Sequence, residues 1–159
     1  MPKVSSGLLW VWLSVIIVLV DQVVKFVVLA HLHPYQPIVL LPFFSLYLAF
    51  NRGAAFSLLS DAPGWQLWMF SLIAIVICIG IVVWLAKISI KQSWLCIALS
   101  MILGGALGNL VDRLSMGSVV DYFLVHVNQY AWPTFNMADS AITIGAIMLI
   151  IDAVFFKKQ

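Results

Sequence analysis

The sequence predicts an all-α membrane protein: four transmembrane helices, with a small β-rich extracytoplasmic element from the first outer loop. Of the 159 residues, 64% are hydrophobic and only 9% are charged, which is too much apolar surface for a water-soluble globule of this size. Four apolar runs are long enough to cross a bilayer. A fifth, rich in β-forming residues, is too short to cross and lies in the long connection after the first run.

The four long apolar runs define the predicted spans. At a rise of 1.5 Å per residue, ~20 helical residues cross the ~30 Å hydrocarbon core. We expect the third helix to continue past its last apolar residue through Asp112 and Arg113. No small-x-small cleavage motif follows Val20, so the first run is expected to be retained. One membrane domain, residues 1–159, would then contain spans at about Gly7–Leu29, Trp65–Ala86, Trp94–Arg113 and Met137–Phe156.

The basic residues are divided unequally between the two membrane faces. Lys25, Arg52 and Arg113 lie toward one face. Five lysines lie at the other: Lys3, Lys87, Lys91, Lys157 and Lys158. Because cytoplasmic segments carry the excess of basic residues, both termini are expected in the cytoplasm.

The two outer connections, roughly residues 30–64 and 112–136, are long for so small a protein. In the first, Ile38–Phe50 is rich in Val, Leu, Phe and Tyr and is broken by Pro42, so it predicts strands lying at the membrane surface. Asn51–Gly53 is expected to form a turn after these strands. Val119–Val127 in the second connection is also strand-like. Long connections in a small protein often carry its function.

Several function classes find no support. The net charge is only +2 and the eight Lys and Arg residues are dispersed, so nucleic acid is not an expected partner. Cys78 and Cys96 lie inside apolar runs and are expected to be buried free thiols. The three histidines show no metal-ligand spacing, so no metal and no cofactor is expected.

Asp121 and Asp139 are the candidate catalytic residues. They lie 18 residues apart, each on the approach to a membrane span, in a chain with six Asp and no Glu. Carboxylates near lipid are costly, and two brought together could share a proton and activate water. Two structural alternatives remain: Asp139 as the N3 partner of an Asn136 N-cap, and Asp121 as an ion-pair partner of Arg113. Neither explains why both lie at the same membrane depth.

A polar stripe is expected on the outer half of the third helix. Gly105, Asn109 and Arg113 follow one another at intervals of four residues, which places them on one helix face. Helix packing is an equal alternative for the glycines, whereas the Arg113 guanidinium offers paired donors that could orient a carbonyl or carboxylate. Asp21 and Lys25, also four residues apart, are expected to form an ordinary ion pair.

Four motifs, in this order, closely resemble those of the bacterial lipoprotein signal peptidases, also called signal peptidase II. The resemblance covers essentially the whole chain. The motifs are Asn51-Arg52-Gly53-Ala54-Ala55-Phe56-Ser57, Gly104-Gly105-Ala106-Leu107-Gly108-Asn109-Leu110-Val111-Asp112-Arg113, Val119-Val120-Asp121-Tyr122 and Phe135-Asn136-Met137-Ala138-Asp139.

This resemblance implies an intramembrane aspartic endopeptidase of the bacterial cytoplasmic (inner) membrane, with its active site toward the outer face and in contact with membrane lipid. It would remove the signal peptide from diacylglyceryl-modified prolipoproteins, cutting just before the lipid-modified cysteine, and would be inhibited by the cyclic peptide globomycin. Asp121 and Asp139 would be catalytic. The residues lining or supporting the site would be Asp21, Asn51, Arg52, Gly53, Gly105, Asn109, Arg113 and Asn136.

A small proton-coupled membrane carrier is the alternative from another class, since intramembrane carboxylates can bind cations. Against it, no segment of the chain repeats another, and the carboxylates cluster at one face instead of the midplane. A noncatalytic assembly subunit would leave the paired aspartates unexplained.

Overall fold

The computed structural model describes residues 6–53, 59, 63–127 and 130–156. It confirms the predicted fold class: four helices long and apolar enough to cross a membrane, with a small antiparallel sheet. A 3-10 helix at Gly7–Trp10 leads into the first long helix, and a π-helical segment at Asp152–Phe156 continues the last. The long helices are α1 (Val11–His31), α2 (Trp65–Lys87), α3 (Ser93–Met116) and α4 (Met137–Ile151).

Helix α3 is the centre of the bundle and packs against the other three. Small residues let it approach its neighbours closely. A Cβ at Gly104 would lie 2.8 Å from Cβ of Ile17 on α1, and a Cβ at Gly105 would collide with the backbone oxygen of Ala138 on α4. The packing alternative for these glycines is therefore correct. Asn109 and Asp112, in the second half of α3, are buried.

The sheet has the strand order β1-β2-β3-β4, with β1 at Ile38–Leu41, β2 at Phe44–Asn51, β3 at Val119–Val127 and β4 at Tyr130–Ala131. The two strand-like regions of the sequence, one in each of the two long connections, therefore form a single sheet. Ala49 of β2 pairs with Asp121 of β3. The first half of β3 is buried and packs on α1, because Val120 and Tyr122 cluster with Val28. This packing fixes the strand that carries Asp121.

The expected turn after β2 is a bend in which the Gly53 N–H donates to Asn51 Oδ1 at 2.9 Å. Cys78 and Cys96 are buried and unbridged, as expected. Several residues used above lie outside the described part of the chain: residues 54–57 of the first motif, and Lys3, Lys157 and Lys158 of the charge argument.

Candidate active site

A cavity of about 640 Å³ lies among α3, the start of β3, the start of α4 and the segment 132–135. Both candidate catalytic residues line it, together with three of the predicted supporting residues: Asn51, Asn109 and Arg113. The rest of the wall is mainly apolar and comes from Val119, Trp132, Pro133, Phe135, Ile142 and Ile144. The cavity thus combines polar side chains around the two aspartates with apolar side chains that could pack against hydrocarbon.

Asp121 is the third residue of β3 and is 1% exposed. Its Oδ1 accepts a hydrogen bond from Asn136 Nδ2 at 2.8 Å, and its Oδ2 accepts one from Asn51 Nδ2 at 3.2 Å. Burial, followed by the negative charge of Asp139, raises the pKa of Asp121 to about 7, although the two amide hydrogen bonds oppose the shift. This carboxyl can therefore hold a proton at neutral pH.

Asp139 occupies position N3 of α4 and takes part in a capping box with Asn136. Asn136 Oδ1 accepts from the Asp139 N–H at 2.9 Å, and Asp139 Oδ2 accepts from the Asn136 N–H at 3.1 Å. The capping alternative is therefore correct, but it uses only one carboxylate oxygen. The other, Oδ1, accepts from Asn109 Nδ2 at 2.7 Å.

Asn109 and Asn136 connect the two carboxyls. Besides its bond to Asp121, Asn136 Nδ2 lies 3.1 Å from Asn109 Oδ1, and Asn109 in turn donates to Asp139. A continuous series of side-chain hydrogen bonds therefore runs from Asp121 through Asn136 and Asn109 to Asp139. Asn136 is fully buried and Asn109 is 5% exposed, so these bonds form where water competes little.

Arg113 does not pair with Asp121: among the described residues, both ion pairs belong to Lys25. Instead its guanidinium lies 3.4 Å from the Gly53 carbonyl oxygen and 3.5 Å from that of Asn109, and 5.8 Å from the centre of the Phe70 ring. The ion-pair alternative for Asp121 is therefore wrong. Arg113 instead joins the bend after β2 to α3 beside the cavity.

Residues 13–155 match the model of the family described as Signal peptidase (SPase) II. The chain belongs to the signal peptidase II family. A lipoprotein signal peptidase of Pseudomonas aeruginosa (strain PAO1) is 52% identical over 163 residues, covering 100% of this chain and 96% of the relative. That of Pseudomonas putida (strain KT2440) is 48% identical over 165 residues, with the same coverage.

A solved structure, described as a bacterial membrane enzyme determined by the in meso method at 2.3 Å resolution, is also similar. It shares 32% sequence identity and a TM-score of 0.82, covering 94% of this chain and 92% of that one. The protein is therefore a multi-pass membrane protease of the signal peptidase II family. The carrier alternative is set aside.

Five of the predicted supporting residues do not line the cavity: Asp21, Arg52, Gly53, Gly105 and Asn136. The contacts of Gly53 and Asn136 are given above. Asp21 is fully buried, and its Oδ1 accepts the N–H of Ala138 at 3.0 Å, so it supports the start of α4. Gly105 supports the same point by letting α3 approach Ala138. Arg52 is exposed at the bend after β2 and lines a second, smaller cavity next to Gln66. Asp21 and Gly105 thus act behind the site, and Arg52 lies apart from it.

Sequence reasoning missed the part that Asp112 and Lys25 take. Asp112 is 1% exposed, and its Oδ2 accepts from the Val120 N–H at 3.0 Å and from Lys25 Nζ at 2.8 Å. Lys25 also contacts Asp21 at 2.8 Å, so the expected ion pair is one half of a buried three-residue cluster. The available clue was the position of Asp112 next to Arg113 inside an apolar helix.

Tyr122, which follows Asp121, also holds the two segments together. Its hydroxyl oxygen accepts the N–H of Met137, the first residue of α4, at 3.1 Å. Burial raises the pKa of Tyr122 above its usual range, so the hydroxyl stays neutral. Tyr122 ends the third of the four motifs, so it was visible in the sequence, but its contact with Met137 was not.

Proposed function

We propose that the protein is an aspartic endopeptidase that removes the signal peptide from diacylglyceryl-modified prolipoproteins, with Asp121 and Asp139 as its catalytic dyad. The observation that carries this proposal is that both carboxyls line one cavity and are connected through Asn136 and Asn109. Its relatives' description as lipoprotein signal peptidases supports the choice of substrate.

The dyad shares one proton at neutral pH, because two close carboxyls cannot both ionise without a large cost. The raised pKa of Asp121, about 7, keeps a proton within the dyad near neutral pH, and in the proposed mechanism Asp121 carries it. Asp139 is then the base, and its ionised form is stabilised by the side-chain N–H of Asn109. No covalent intermediate is needed.

Asp139 takes a proton from a water molecule as that water attacks the scissile carbonyl carbon, and Asp121 donates a hydrogen bond to the developing oxyanion. When the C–N bond breaks, a proton passes from the dyad to the leaving nitrogen. The products are the carboxyl terminus of the signal peptide and the free amino group of the lipid-modified cysteine. The dyad regains its single shared proton.

The apolar wall of the cavity gives the substrate preference a physical basis. Ile142 and Ile144 of α4 line the cavity, and Ile144 is also exposed on the outer surface of the helix. A substrate whose apolar segment already lies in the bilayer could enter from the side, with its acyl chains against this wall and membrane lipid. Cleavage just before the lipid-modified cysteine would then follow from holding the lipid at a fixed place.

We also propose that the protein lies in the bacterial cytoplasmic (inner) membrane, with both termini in the cytoplasm and the site toward the outer face. Lys87 and Lys91 lie at the connection between α2 and α3, whereas the dyad lies near the far end of α3. The positive-inside rule then places the dyad outside. Globomycin, a cyclic peptide, is proposed to occupy the same cavity and block cleavage.

The test is cleavage by the purified protein in detergent or lipid. A lipid-modified prolipoprotein is the substrate, and the same precursor without its diacylglyceryl group is the matched control. We expect release of the signal peptide, by mass spectrometry, from the modified precursor only, blocked by globomycin and unchanged by a chelator. Absence of release would contradict the proposed activity, equal release from both would contradict the lipid preference, and loss in chelator restored by a divalent ion would refute the metal-free mechanism.

A further inference from the structure

Lys25 is a charged side chain of α1 that is only 2% exposed. Its Nζ contacts three acceptors: Asp21 Oδ2 at 2.8 Å, Asp112 Oδ2 at 2.8 Å and Asn109 Oδ1 at 3.1 Å. An ammonium group has three N–H donors and no acceptor. All three donors are therefore used, and the one that does not meet a carboxylate meets the carboxamide that contacts Asp139.

This contact determines which way the Asn109 carboxamide points. Its oxygen faces two donors, the ammonium of Lys25 and Asn136 Nδ2, each at 3.1 Å. The reversed orientation would place an NH₂ group against an ammonium that can only donate, and a carbonyl oxygen against the carboxylate of Asp139. With Lys25 in place, Asn109 must present its N–H to Asp139, which it does at 2.7 Å.

Asn136 is oriented in the same way, but by a backbone group. Its Oδ1 accepts the N–H of Asp139 at 2.9 Å, so its Nδ2 must point toward Asp121 Oδ1, 2.8 Å away. Each dyad carboxyl therefore receives an amide N–H whose direction is fixed by a group that can only donate. At Asp121 that group belongs to the helix terminus, and at Asp139 it is the side chain of Lys25, assisted by Asn136 Nδ2.

We propose that Lys25 is a positioning residue for the proposed peptidase reaction. It acts through Asn109, by keeping the side-chain N–H of Asn109 directed at the carboxylate of Asp139. An ordinary buried ion pair would contribute to folding alone, whereas this role also affects the chemical step. Without the ammonium, the Asn109 oxygen keeps only Asn136 Nδ2 as a donor, so the carboxamide is held less firmly with its side-chain N–H on Asp139. A reversed carboxamide would place its oxygen against the ionised base. The inference rests on the proposed function of Asp121 and Asp139.

The experiment measures kcat and KM for lipid-modified prolipoprotein with Lys25→Met, Asn109→Ala and the double variant. We expect Lys25→Met to lower kcat by at least about tenfold with KM changed less than about threefold. Because Lys25 acts through Asn109, the double variant should be no slower than Asn109→Ala within about threefold. Single-turnover assays over hours keep low rates measurable.

A kcat of Lys25→Met within about threefold of wild type, or losses that multiply in the double variant, would overturn the proposal. Thermal melting shows whether Lys25→Met is folded. If it is not, the same measurements are made in the Lys25→Met/Asp112→Asn background, which keeps the net charge of the cluster unchanged. If that background does not fold either, Lys25 is structural and the proposal fails. Failure of wild-type protein to cleave would instead refute the proposed function, which separates the two.

Discussion

The carboxylate of Asp112 accepts the backbone N–H of Val120 at 3.0 Å, and the next residue is Asp121. The same relationship recurs at the other carboxyl, because Asp21 accepts the N–H of Ala138 at 3.0 Å, one residue before Asp139. Asp112 of α3 thus holds the backbone beside Asp121, and Asp21 of α1 holds the backbone beside Asp139. The geometry of the proposed site therefore depends on packing behind it, and this dependence can be tested.

Gly105→Ala should disrupt the site from behind. Its Cβ would collide with the backbone oxygen of Ala138, which cannot rotate away, so α3 and α4 must separate where Asp139 is held. Overpacking of this kind costs about 1–3 kcal/mol. We expect a lower thermal midpoint in detergent and at least about a tenfold loss of cleavage, since small displacements of reacting groups are costly.

Gly80→Ala is the matched control, because a Cβ on Gly80 in α2 would meet no atom within 4 Å. Its thermal midpoint and cleavage should stay near those of the wild-type protein. Equal losses in the two variants would mean that helix substitution itself, and not the contact with Ala138, causes the defect.

Arg113→Lys tests whether geometry or charge matters beside the cavity. Arg113 contacts the carbonyl oxygens of Gly53 and Asn109 together, and a lysine keeps the charge but loses the planar pair of donors. Cleavage should fall by at least about tenfold, equivalent to ~1.4 kcal/mol of transition-state stabilisation, with little loss of folded protein. A lysine variant that cleaves like wild type would show that a positive charge is sufficient there.

The raised pKa of Asp121 predicts how stability depends on pH. Folding raises this pKa to about 7, whereas an aspartate in an unfolded chain has a pKa of about 3.9. The folded state holds the proton more tightly, so this contribution to stability is full below about pH 4 and is lost as pH rises through about 7.

The thermal midpoint in detergent should therefore fall between about pH 4 and pH 7, and should fall less in Asp121→Asn, which has no proton to lose. The comparison needs only folded protein and no substrate. Identical slopes for the two proteins would contradict a raised pKa at Asp121.

Cysteine labelling tests the proposed orientation. On a background without Cys78 and Cys96, single cysteines replace exposed residues: Tyr35 and Tyr130 on the side of the dyad, and Gln92 at the connection between α2 and α3. In intact cells, an impermeant thiol reagent should label the first two positions and not the third. The reverse pattern would place the site in the cytoplasm.

Much of the fold could be predicted because hydrophobic run length is a local property of the sequence. Helices α2 and α3 cover their predicted spans, and α3 continues to Met116, past Asp112 and Arg113. Helices α1 and α4 cover theirs together with the 3-10 segment before α1 and the π-helical segment after α4. The pairing of β2 with β3 could not be predicted, since it joins strands about 70 residues apart through contacts such as Ala49 with Asp121. Strand character is encoded locally, whereas strand partners depend on the packing of the whole chain.

The candidate site shows the same division. Asp121 and Asp139 were conspicuous because carboxylates near lipid are rare and costly. The motif residues Asn51, Asn109 and Arg113 line the cavity with them. The role of Lys25 was hidden, because its spacing from Asp21 suggested a complete ion pair, while Asp112 and Asn109 reach it from 84 residues or more away.

The most direct measurement is cleavage of lipid-modified prolipoprotein by Asp121→Asn and Asp139→Asn. Each substitution keeps the shape of the side chain and removes one acid–base partner. Asp152→Asn is the control, because Asp152 lies in the π-helical segment after α4 and does not line the cavity. We predict no detectable cleavage by either dyad variant, folded protein at wild-type levels, and full activity of the control. Substantial cleavage by either dyad variant would contradict the assignment of Asp121 and Asp139 as the catalytic pair.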